Sequence, residues 1–237
     1  MNSTSLQTIR LIAVDLDGPL LIDTFSPIMH KLCSEYYRID YTRELERNTF
    51  SRSRAEVVDY LRRQIGEQMS ETERKQSDEE SIASYFRYRD EYMRDHPHGM
   101  KPEVPAFLDL LTSLGVTVIC YGGLDEDYMR RGLGEQAERF ATYICTNEFR
   151  PGVREIVRDF YKLAPHQALF IDDVNFVAEH AKMLGTPFIG VPSNEAWSWQ
   201  KHDMKETGVR RIVDSVSQID LALLQEIDAA AVHGGGW

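Results

Sequence analysis

Cysteine is scarce and scattered. Cys33, Cys120 and Cys145 form no short-spaced pair or cluster, so neither a disulfide framework nor a structural zinc site is expected, and a reducing cytoplasm fits best. No apolar run approaches the roughly 20 residues that span a bilayer, and no cationic-plus-apolar leader follows Met1, so membrane insertion and secretion are not expected. Basic residues are outnumbered: 27 Lys and Arg stand against 38 Asp and Glu, a net charge of -11. Such a chain is a poor match for nucleic acid or an anionic membrane, although a local basic pocket for a phosphate is invisible to that sum. The expected partner is small, and the chain itself is expected as a monomer or homodimer.

With 237 residues, 42% of them hydrophobic, the chain can bury one large core or a core with a smaller appendage. The stretch at 9–16 reads as a strand covered on both faces, because a short apolar run ends there in turn residues. From 25 to 98 the texture changes. "RAEVVDYLRRQIGEQM" and "SIASYFRYRDEYMRD" carry apolar residues at helical spacing, a polar link at 70–80 separates them, and no strand signal intervenes. After "HPHGMKPEV" helix and strand alternate again, with strands at "VTVICY", "TYIC", "ALFI", "PFIGV" and "RRIV". That alternation predicts an α/β fold, a doubly wound parallel sheet with right-handed crossovers. The expected division is an α/β core at 1–24 and 99–237 and an all-helical insert at 25–98. The tail at 229–237 is expected to fray.

In such a sheet a ligand binds beyond the carboxyl ends of the strands. Asp15 and Asp17 follow the first strand in "LIAVDLDGPLL", "YGG" follows the second, and Asp172 with Asp173 follows "ALFI". Four carboxylates on one sheet edge repel one another, and a hard divalent cation with all-oxygen ligation relieves that repulsion; magnesium has that preference. An acidic cluster with such an ion is a phosphate-handling site. The alternative is that each Asp only caps a turn or helix.

The motifs together resemble those of the haloacid dehalogenase-like hydrolases, most of which are phosphatases, over nearly the whole chain. "DLDGPLLID" is similar to the first motif, "LTSLGVTVICYGG" to the second, "FRPGVREIV" to the third and "ALFIDDVNFVAEHAKMLGTPFIGV" to the fourth, and the insert sits where many members carry a helical cap. The resemblance implies that Asp15 is the nucleophile that forms an aspartyl phosphate and Asp17 the general acid, then base. It implies Mg2+ held by Asp15, Asp17 through its main-chain carbonyl, and Asp173, with Asp172 as a further ligand or support. The substrate would be a small phosphorylated metabolite.

Several positions depart from the pattern. Where the second motif usually has Ser or Thr, this chain has Gly122, so the backbone amides of Gly122 and Gly123 become the candidate phosphate donors, with Tyr121 beside them. The usual Lys of the third motif is Arg150, which keeps the charge but is longer and planar; Arg154 is a second candidate. Val177 replaces a common acid of the fourth motif, a role Asp172 could take, and Pro19 stiffens the turn after Asp17. Substrate choice would fall to the cap, where Arg52 and Arg54, or His30 and Lys31, could read a second anionic group. Trp197 and Trp199 either line the pocket or cover the core, and Cys120 reads as core. Two other functions fit the same residues: a binding or regulatory protein with weakened catalysis, and a sugar-phosphate mutase using the same aspartyl phosphate. A receiver domain shares an Asp pair but not the long insert.

Overall fold

The computed structural model describes residues 5–66 and 78–232. Five strands, β1 (Leu11–Asp15), β2 (Thr117–Gly122), β3 (Tyr143–Cys145), β4 (Ala168–Asp172) and β5 (Phe188–Gly190), form one parallel sheet in the order β3-β2-β1-β4-β5. Side chains alternate across the sheet. Ile12, Val14, Cys120, Leu169 and Ile171 point into a core shared with α5 (Val104–Ser113), α6 (Glu126–Leu133) and α9 (Leu221–Ala231). Leu11, Ala13, Ile119, Tyr121 and Phe170 point into the opposite core, packed by α7 (Asn175–Leu184) and Met204 of α8 (Gln200–Thr207). Helices on both faces explain why every residue of β1 and β4 is buried and why these strands read as unbroken apolar runs.

The expected α/β class and parallel sheet are therefore present, with differences in detail. The strand expected at 9–16 is trimmed to Leu11–Asp15, because the residues before it are held from elsewhere: the Asp228 carboxylate of α9 accepts the amides of Gln7 (2.7 Å), Thr8 (2.9 Å) and Ile9 (2.7 Å). "RRIV" is not a strand. It makes a single parallel bridge, Ile212 with Gly190, at the edge of β5. The helix expected over "GVREIVRDFYKL" is a wide turn of π type over Glu155–Phe160. The tail is helical up to Ala231 in α9, and residues 233–237 lie outside the described residues, as do 70–77 of the polar link. Among the described residues, no helix is long and apolar enough to cross a membrane.

Between β1 and α5 run α1 (Phe25–Lys31), α2 (Arg43–Thr49), α3 (Arg54–Ile65) and α4 (Asp78–Asp95). Their starts are written locally: Thr42 caps α2, and Ser53 with Glu56 forms a capping box on α3. These helices share an apolar cluster of their own around Met29, Cys33, Leu45 and Phe50. The chain leaves and returns side by side, since the amide of Ile22 donates to Gly99 (2.8 Å) and that of Lys101 to Leu20 (3.0 Å). The buried Glu46 of α2 fastens the helices to the core, accepting from the Trp199 amide (3.0 Å), Gln200 Nε2 (2.6 Å) and Ser198 Oγ (3.2 Å). Arg47 adds ion pairs to Glu179 (2.6 Å) and Asp203 (3.2 Å).

Candidate active site

β1 and β4 are neighbours in register, Val14 beside Ile171, so Asp15 and Asp172 leave the sheet together at the point where strand order reverses. Carboxylate oxygens of Asp15, Asp172 and Asp173 lie within 4.8 Å of one another, and all three residues are buried. Gly18 permits this approach. Its φ is +94°, and a Cβ there would collide with the Asp173 carboxylate.

Burial, then Asp172 and Asp173, hold the Asp15 carboxyl well above its usual range. Burial, then Asp172 and Asp23, do the same for Asp173. Asp172 is pushed up to about 6 by burial, even though Tyr121 Oη donates to one of its oxygens and the Val174 amide to the other (2.7 Å). Three crowded acids with so little cationic relief, all offering oxygen, fit a hard divalent cation well. Asp17 stands apart from this trio. Burial pushes its carboxyl up to about 6, against a hydrogen bond from Tyr128 Oη (2.8 Å), so the group exchanges a proton near neutral pH.

A cavity of about 760 Å³ opens from these acids into the helical layer. Asp15, Asp17, Asp172, Asp173, Gly123 and Arg150 all line it, and Arg52 and Arg54 lie on its walls. Arg150 has a buried Nε with no partner among the described residues, and its charge bears on Asp15, Asp17 and Asp172. A cation held so, facing the acids with donor capacity unused, suits a phosphate oxygen.

The two departures at the second and third motifs belong together. A Cβ at Gly123 would overlap the Arg150 guanidinium, and one at Gly122 would come to 2.8 Å from Tyr143 Oη. The longer Arg fits because position 123 has no side chain. Gly122 sits behind the cavity wall, beneath Tyr143, and only Gly123 of the pair lines the cavity.

Other candidates are drawn elsewhere. Arg154 is exposed and paired with Asp159 (3.1 Å). His30 stacks on Trp197 (4.5 Å between rings), Lys31 pairs with Glu35, and Trp199 is 39% exposed. None of these lines the cavity. The tryptophans join the helical layer to the core instead. Cys120 is buried core, its thiol pushed up by burial.

Four residues escape sequence reading. Asp23 lines the cavity and accepts the Phe25 (2.8 Å) and Ser26 (3.2 Å) amides, a helix-start signal that was there to be found. Arg89 is buried, donates from Nε to Thr24 Oγ1 (3.1 Å) and from Nη2 to Tyr128 Oη, and so links α4 to Asp17 through Tyr128. Lys101 donates to the Gly18 carbonyl and lowers the Asp173 carboxyl. Arg89, Tyr128 and Lys101 lie 72, 111 and 83 positions from the groups they serve, and no local pattern marks them.

No family model and no curated protein matches the sequence. Solved structures match its fold. A phosphonoacetaldehyde hydrolase-like protein from Oleispira antarctica superposes with a TM-score of 0.69 at 15% identity, covering 99% of this chain and 98% of its own. A predicted phosphoglycolate phosphatase from Haemophilus somnus gives 0.62 at 15% identity, covering 89% and 96%. A haloacid dehalogenase-like family hydrolase from Streptococcus pneumoniae gives 0.60 at 18% identity, covering 92% and 99%.

Proposed function

We propose that this chain, whose fold is that of the haloacid dehalogenase-like hydrolases, is a magnesium-dependent phosphatase that releases inorganic phosphate from a small phosphorylated metabolite. The observation that carries the reading is the placing of two differently poised carboxyls at one cavity mouth: Asp15 among the acidic trio, and Asp17 held near pH 6 by its own surroundings. Pairs of acids pushed into different roles mark acid–base and nucleophilic chemistry.

In this reading an Asp15 oxygen attacks phosphorus and the ester P–O bond breaks. The protonated Asp17 gives its proton to the departing alkoxide. Asp17, now ionised, takes a proton from water as that water attacks the aspartyl phosphate, which returns Asp15 and frees phosphate. Arg150 binds a phosphoryl oxygen, and the helical layer acts as a cap that excludes bulk water. Asp15, Asp172 and Asp173 would hold Mg2+, which supplies positive charge against the repulsion between acids and phosphate.

The test is phosphate release from a panel of phosphorylated metabolites, with magnesium and with chelator, for the intact protein and Asp15→Asn. Release that needs magnesium and is lost in the variant, with the fold kept, is the expected result. Release undiminished in Asp15→Asn removes that residue as nucleophile.

A further inference from the structure

The cavity is far larger than a phosphate requires. At about 760 Å³ it is within the range of sites that enclose whole organic ligands. Its wall away from the acids is mostly apolar, with arginines and serines at intervals. Phe25 and Met29 of α1, Phe50 after α2, Leu61 of α3, and Tyr85 and Phe86 of α4 all face it. Phe25 meets Phe50 edge-on at 5.2 Å and Tyr85 at 5.9 Å, so the wall is built of rings in the arrangement that also suits an incoming ring. Interiors normally close such gaps. An open cavity with these rings on its wall suits an apolar guest.

The arginines on this wall are already engaged by protein groups. Arg52 lies over the Phe176 ring at 3.5 Å and donates to the Arg47 carbonyl, and Arg54 lies over Phe86 at 5.6 Å. Arg62 donates to Ser81 (3.3 Å) and Arg87 to Ser84 (2.9 Å). Arg89 is taken by Thr24 and Tyr128. Among the described cations that line the cavity, the one with a buried unpartnered donor is Arg150, at the acidic end. The best-placed seat for an anionic group is thus at the acidic end, and the rest of a ligand meets mostly rings and methyls.

Resting on the phosphatase reading above, we infer that the substrate is a phosphate monoester with an apolar, ring-bearing organic body rather than a sugar or a bisphosphate. The body lies between α1, α3 and α4 while the ester oxygen faces Asp17. The expectation that Arg52 and Arg54 read a second anion gives way to a role as the polar edges of an apolar chamber.

Two measurements test this separately from the chemistry. With magnesium present, kcat/KM for 1-naphthylmethyl phosphate, whose leaving group is an alcohol like theirs, is compared with that for glycerol phosphate and glucose 6-phosphate. In parallel, calorimetry compares binding of 1-naphthylmethylphosphonate and methylphosphonate, which needs no turnover. A naphthyl preference of about tenfold or more in both is expected, and Phe86→Asn, on the partly exposed α4, should narrow it at least about threefold. Equal or tighter binding of methylphosphonate, or a preference for the sugar ester, overturns the inference while leaving the phosphatase reading intact. A tenfold binding preference with no turnover of any ester upholds the ligand class and overturns the hydrolytic reading.

Discussion

At the scale of single residues the site is tuned through contacts that sequence order hides. Tyr128 Oη donates to Asp17 and so favours its ionised form. Tyr128→Phe removes that bond, which raises the Asp17 carboxyl and keeps the proposed general acid protonated to higher pH. The basic limb of the kcat/KM profile should move up by roughly half to one pH unit, as expected for one hydrogen bond of about 1 kcal/mol; a limb that stays or moves down removes Tyr128 from this role. Gly123 and Arg150 form a second coupled pair. Gly123→Ala should raise KM about tenfold by driving the guanidinium off its seat, and the double variant Gly123→Ala with Arg150→Lys should recover part of that loss. Steady-state kinetics on the four proteins measures it, and strict additivity would show that the two positions act independently. Asp15, Asp17, Asp172 and Asp173 were legible in the sequence because they stand at or just beyond a strand end; Arg89 and Tyr128 were not, because only tertiary packing brings them to Asp17.

At the scale of elements, α2 carries the fastening between the helical layer and the core. Glu46 is fully buried and meets three donors, two from the segment before α8 and one from Gln200 at its start. Glu46→Ala leaves the Trp199 amide and Gln200 side chain without their acceptor, a loss of roughly 2–4 kcal/mol, read as a fall in midpoint in urea at unchanged slope. A change under about 0.5 kcal/mol would mean that the layer is held by packing alone. Elements with an internal signal were readable in advance: the apolar runs of β1 and β4, the amphipathic α3 with its capping box. The failures share one cause. "RRIV" has the composition of a strand but lies at the sheet edge with one bridge, and the helix after Pro151 widens into a π turn. In both, the neighbours decide what the local sequence leaves open.

At the scale of the molecule, the acidic cluster makes stability depend on pH and metal. Asp172 and Asp17 sit near 6 in the folded chain against 3.8 for the free side chain, and Asp15 and Asp173 are raised well above it. Raised carboxyls bind protons more tightly folded than unfolded, so their contribution is full below about pH 3.8 and is lost as pH rises through about 6 and beyond. In chelator, Tm should fall across this window for the part due to these groups; magnesium should raise Tm most at the upper end and flatten the slope. Thermal melts from pH 5 to 8 with and without the ion check it, and parallel curves would count against a metal among these acids. The hydrogen-bonded crossing at Ile22 and Gly99 has an evolutionary consequence. The chain enters and leaves the helical layer at one adjacent pair of segments, so the layer's stretch of gene can change in length and sequence between those two points as long as the Glu46, Arg47 and Arg89 contacts are kept. On the proposed reading, the surface that meets the body of a substrate and the carboxylates at the sheet edge are therefore encoded in separable stretches of the chain.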